Sequence, residues 1–81
     1  MRWKKLAKLP HLSGKEVVKA LSKVGFVPIR QTGSHVIMTK QTADGKTGLV
    51  VPMHREIDIG TLAQIIRQSK TPREDFLKLF D

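Results

Sequence analysis

Phe26-Val27-Pro28-Ile29-Arg30-Gln31-Thr32-Gly33-Ser34-His35-Val36-Ile37-Met38-Thr39-Lys40 holds two short apolar, β-branched runs parted by Gly33-Ser34. Runs of this kind favour strands, and glycine supplies the positive φ that tight strand-to-strand turns often need. The segment therefore predicts a hairpin whose arms are residues 26–32 and 36–40. Pro28 cannot donate to a ladder, so the first arm is expected at an edge or paired on one side only. His35 then stands at the start of the returning strand, mounted on the ladder. Histidine is the side chain that both accepts and donates a proton near neutral pH.

Working outward, residues 41–46 read as a loop turned by Asp44-Gly45, and residues 47–51 as a third strand stopped by Pro52. Short connections favour an antiparallel meander. Upstream, Ser13-Gly14-Lys15-Glu16 matches a capping box, with Leu12 and Val17 at staple positions. Val17, Val18, Leu21 and Val24 form an apolar helical stripe, Gly25 ends it, and Phe26 folds back as in a Schellman motif. Lys15, Lys19 and Lys23 line the opposite face. Downstream, Asp58 is the expected cap of a helix carrying Leu62, Ala63, Ile65 and Ile66. Thr71-Pro72-Arg73-Glu74 reads as a second capping box, with Pro72 at the first helical position before Phe76, Leu77 and Phe80. The order predicts an α+β fold: α-β-β-β-α, a three-stranded antiparallel sheet with helices on one face, and a short extra C-terminal helix.

The 81 residues suit one domain, and a 40% apolar fraction supports a globular core. Net charge is +8, unevenly placed: residues 1–55 carry 11 Lys and Arg against Glu16 and Asp44 alone. That asymmetry is what a phosphate-binding face produces. Residues 1–11 read as a basic N-terminal tail, where Trp3 between Arg2 and Lys4 suits base stacking, an apolar edge or a partner contact. Absence of cysteine excludes disulfides and thiolate metal sites and fits a reducing cytoplasm. No apolar run approaches the roughly 20 residues of a membrane span, and the N-terminus lacks a signal peptide's apolar stretch. His11, His35 and His54 match no metal-ligand spacing, so neither metal nor other cofactor is expected.

Residues 8–79 resemble the HicA-type, or YcfA-like, mRNA interferase toxins of toxin–antitoxin pairs. The matching pieces are Leu12-Ser13-Gly14-Lys15-Glu16-Val17-Val18-Lys19-Ala20-Leu21, Gly25-Phe26 and Arg30-Gln31-Thr32-Gly33-Ser34-His35. Val51-Pro52-Met53-His54, Gly60-Thr61-Leu62, Ile65-Ile66-Arg67-Gln68 and Glu74-Asp75-Phe76-Leu77 follow in order. Each piece is weak alone, whereas the concatenation is specific. The resemblance implies a fold like the double-stranded-RNA-binding domain and an endoribonuclease that cuts mRNA. It implies that the catalytic histidine is that of Gly-Ser-His, here His35, and that a HicB-type antitoxin covers the active face.

The chemistry is consistent with that expectation. RNA carries its own nucleophile, the 2′-OH. Cleavage needs a base, cations for the crowded phosphorane and an acid for the leaving oxygen. His35 is the candidate base, and Arg30, Lys40 or Arg55 the candidate charge stabilisers, with Gly33 and Ser34 completing the RNA-contacting set. Ser34 precedes His35 and would point to the opposite face, so it reads as a turn residue. His54 is the secondary candidate, as acid, phosphate ligand or structural hydrogen-bonding residue; His11 reads as a surface residue. A non-catalytic RNA-binding module of the same fold, and a DNA-binding or translation-associated accessory protein, are the alternative classes.

Overall fold

Ser13 starts the first helix by the capping box its sequence predicts. Its hydroxyl accepts from the Glu16 amide at 3.1 Å, and the Glu16 carboxylate accepts from the Ser13 amide at 2.9 Å. The computed structural model describes residues 9–80. Within them α1 runs over Gly14–Lys23, β1 over Val27–Thr32, β2 over His35–Thr42 and β3 over Gly45–Pro52. α2 is Ile59–Ser69 and α3 is Arg73–Lys78. The order is α-β-β-β-α with a short C-terminal helix, an α+β arrangement like that of the double-stranded-RNA-binding domain. α1 closes as a complete Schellman motif, the Phe26 amide donating to Leu21 O at 3.0 Å and the Gly25 amide to Ser22 O at 3.3 Å.

The sheet is a meander in the order β1-β2-β3, antiparallel throughout. β1 is an edge, as Pro28 requires, and a bulge interrupts its pairing between Pro28 and Arg30. The second hairpin is tighter than expected. Gln41 pairs with Lys46 and Thr42 with Gly45, so the predicted six-residue loop shrinks to Ala43-Asp44. The ladder satisfies those polar strand ends, and the Thr42 hydroxyl adds a bond to Gly45 O at 2.7 Å. Pro52 ends β3 from inside, paired with His35.

Alternation decides which face is covered. Val36 and Met38 of β2 and Leu49 and Val51 of β3 are buried against Val17 and Leu21 of α1 and Leu62 and Ile65 of α2. Leu9 and Leu12 join this core. Within the expected tail of residues 1–11, Leu9 is packed, and the segment before α1 is tied down where the Ile57 amide donates to Leu12 O at 2.8 Å. Trp3 and the basic residues 2–8 lie outside the described residues.

α3 departs from expectation at its start. Pro72 occupies the cap position with no side-chain cap, and the helix begins at Arg73. Thr71 is already engaged in the α2–α3 turn, its amide donating to the buried Ser69 hydroxyl at 3.2 Å. Phe76 still anchors α3 in the core, its ring centroid 5.4 Å from that of Phe80, and Lys23 Nζ donates to Leu79 O at 3.0 Å.

Leu21→Ala removes a side chain with no exposed surface and should cost about 2–5 kcal/mol in urea unfolding. Lys19→Ala on the exposed face should stay within about 0.5 kcal/mol. Equal small losses would dismiss α1 as a core element. Asp58 supplies a pH test. Its carboxylate accepts from the Thr61 hydroxyl at 2.7 Å and amide at 3.0 Å, and these bonds hold its pKa below the usual value. A depressed folded pKa gives stability that is present above the unfolded value, about 3.9, and is lost as pH falls through the lower folded one. The stability gap between the native protein and Asp58→Ala should therefore narrow below about pH 4. A gap constant from pH 7 to the acid limb would contradict this.

Candidate active site

The Gly33-Ser34 turn is held by both chain and sheet. Gly33 has φ of 58° and Ser34 keeps a negative one, the pattern of a type II′ hairpin turn. Thr32 and His35 close the β1–β2 ladder, and His35 also pairs with Pro52 on β3. His35 is thus the first residue of the central strand, clamped on both sides with its side chain exposed. Paired residues share a face, so Thr32, His35 and Pro52 form one row and Arg30, Ile37 and Val50 the next. This is the sheet face away from the helices. Arg30 is the diagonal neighbour of His35, about 7–8 Å away and within reach of a long side chain.

Beyond β3 the chain is pinned against the start of α1. The Met53 amide donates to Ser34 O, and the Gly14 amide donates to His54 O at 2.9 Å. Gly14 sits so close that a Cβ there would press into the Pro52 carbonyl oxygen and lie 2.6 Å from Met53 Cα. His54 and Arg55 emerge from this junction exposed. Together with Ser13, Lys15 and Met53 they line an open groove of about 390 Å³. The hairpin tip, the end of β3 and the N-terminus of α1 therefore form one hydrogen-bonded unit.

A continuous family match covers all the elements that build this unit. The family model described as HicA toxin of bacterial toxin-antitoxin matches residues 14–70, from the start of α1 through the sheet to the end of α2. The chain belongs to the HicA toxin family. Membership makes it the toxin of a toxin–antitoxin pair, with an antitoxin as partner. No curated protein matches the chain. Among the described residues no helix is long and apolar enough to cross a membrane, and no three His, Asp or Glu side chains converge.

Within this HicA-family fold the expected site residues separate into groups. His35, Arg30 and the Gly33-Ser34 turn lie together at one end of the sheet; His54 and Arg55 adjoin them across the Met53–Ser34 bond. Lys40 stands apart. It projects from the helix-covered face, 5.8 Å from the Phe26 ring centroid, where a Cβ on Gly25 would meet its Cε at 3.2 Å. Five residues of strand, roughly 17 Å, divide it from His35. His11 is exposed and paired, its Nδ1 2.8 Å from Glu56 Oε2. Sequence reasoning passed over Lys15 and Met53 as site residues. A lysine in the first helical turn, where the helix dipole disfavours positive charge, was the available signal for Lys15; Met53 carried none.

Gly14→Ala tests the junction. At an unencumbered helix position alanine would be the more stable residue by about 1 kcal/mol. Here the atoms in the way are backbone, so the substitution should instead destabilise by about 1–3 kcal/mol in chemical unfolding. A neutral or stabilising outcome would refute the close approach.

Proposed function

We propose that this HicA-family toxin is a metal-independent endoribonuclease that cuts mRNA and so inhibits translation and growth, with His35 as its general base. The observation that carries the reading is the mounting of His35: exposed, at the ladder end, and fixed by pairing to both Thr32 and Pro52 beside Arg30. A base needs this fixed placement, because proton transfer demands hydrogen-bond distance to the group that gives up the proton.

The reaction follows from the substrate. His35 takes the proton of a ribose 2′-OH, and that oxygen attacks the adjacent phosphorus. Arg30 offsets the charge that gathers on the phosphorane oxygens, and Arg55 contacts the RNA backbone beside it. The bond to the 5′ oxygen breaks, and His54 is the candidate donor of the proton which that oxygen takes up. The products are a 2′,3′-cyclic phosphate and a 5′-hydroxyl. Gly33 and Ser34 shape the turn that faces the phosphodiester, and Lys40 contributes only to the wider positive field.

The same sheet face leaves Val27 and Val50 exposed beside Arg30 and His35. Apolar surface of this kind supports a partner that covers it, and we assign that partner as a HicB-type antitoxin. An acidic antitoxin surface would complement the cationic toxin and speed association at low salt.

His35→Ala is the test. The side chain is exposed, so fold and antitoxin binding should persist while cleavage of single-stranded RNA falls by about 10²–10⁴-fold. Cleavage by the native protein should continue in EDTA. An active His35→Ala protein would remove the histidine from the mechanism. RNA that is bound but left intact by the native protein would favour the non-catalytic RNA-binding module.

A further inference from the structure

We propose that the groove between the N-terminus of α1 and the end of β3 is a subsite for the nucleotide flanking the cut, with Lys15 and Arg55 on its phosphate and Met53 beneath its sugar or base. This rests on the ribonuclease reading of His35 and adds to it a second point of attachment for single-stranded RNA.

Position is the first argument. The groove is lined by Ser13, Lys15, Met53, His54 and Arg55, and its Met53 is bonded through its amide to Ser34 O, the residue before His35. A polymer whose phosphodiester lies at His35 must continue in some direction along the surface, and this groove is lined by Met53, His54 and Arg55, the residues that follow Pro52, the partner of His35. The groove, about 390 Å³, is open to solvent, as a site on a continuous polymer must be.

Charge is the second argument. Neither Glu16 nor Glu56 pairs with Lys15 or Arg55: Glu16 accepts from the Ser13 amide, and Glu56 Oε2 lies 2.8 Å from His11 Nδ1. Lys15 and Arg55 have no carboxylate partner among the described residues. Lys15 moreover sits in the first turn of α1, where the dipole favours an anion and not a cation. A residue that opposes its local electrostatics is expected where function demands it. Half-buried Met53 lines the groove with Lys15 and Arg55, so apolar surface for a sugar or base adjoins cations for a phosphate.

The test uses the full chain carrying His35→Ala, so that binding is measured without turnover, with a fluorescent single-stranded RNA oligomer titrated across a range of salt. Adding Lys15→Gln or Arg55→Gln should each weaken binding about 3–10-fold and flatten the salt slope by about one unit or less. Met53→Ala should weaken binding with the slope kept. Lys19→Gln, one turn along α1, should stay within about twofold of the parent. Lys15→Gln should not lower the unfolding temperature, because it relieves an unfavourable dipole interaction; weaker RNA binding by an equally stable protein separates a binding role from a structural one. In the active protein, Lys15→Gln should raise KM several-fold while the saturating rate falls less than about twofold.

Unchanged RNA affinity and slope in both Lys15→Gln and Arg55→Gln would overturn the subsite, and so would an equal loss in Lys19→Gln. Variants that weaken antitoxin binding alone would assign the groove to the antitoxin and also overturn the proposal. Failure of the ribonuclease reading shows separately, as cleavage that survives His35→Ala.

Discussion

The Gly14 amide donates to the His54 carbonyl at 2.9 Å, and only a residue without a Cβ can bring the start of α1 this close to the Pro52–Met53 backbone. That single approach fixes the helix against the end of β3. Through the Met53–Ser34 bond and the His35–Pro52 pair, the same strand end holds the hairpin tip. Three elements far apart in sequence are thereby locked together around His35. Backbone hydrogen bonds do this work, so the side chains at the junction stay free to face solvent and ligand. His35, His54, Arg55 and Lys15 are all exposed on a scaffold that is itself immobilised by pairing.

The sheet divides the molecule's tasks between its faces. One face is spent on stability: Val36, Met38, Leu49 and Val51 are buried beneath α1 and α2. The other carries Arg30, His35 and Thr32 together with exposed Val27 and Val50. Function can occupy this second face at little cost to the core. A toxin must be silenced in the cell that makes it, and a partner that shields the apolar residues of this face would shield His35 in the same contact.

Much of the fold was legible because its signals are local. The Ser13–Glu16 capping box, the Gly25-Phe26 helix stop, the Gly33 turn and the Asp58 cap each involve residues within a few positions of one another. The misreadings needed information from further away. The Asp44-Gly45 loop shortened because Gln41 and Lys46 found each other across a ladder. The expected cap at Thr71 failed because both its amide and its hydroxyl are turned to Ser69 in the α2–α3 turn. The burial of Leu9 likewise depends on a distant residue, since the Ile57 amide ties its segment down at Leu12 O. At the candidate site, the position of His35 at the start of β2 was legible from its turn. The separation of Lys40 was legible too, since residues five apart on a strand point to opposite faces. The groove joining Lys15, Met53 and Arg55 depends on tertiary packing and had no sequence signature beyond the misplaced charge of Lys15.

The proposed reaction requires the RNA to supply its own nucleophile, a 2′-OH deprotonated by a fixed His35. A single-stranded RNA oligomer carrying one 2′-deoxyribose immediately 5′ to the linkage that is cut in the all-ribose oligomer tests this directly. Cleavage at that linkage should disappear, while neighbouring ribose linkages remain open to attack. A deoxy-substituted linkage cut at the same rate would show that the nucleophile comes from elsewhere, and would contradict the role given to His35.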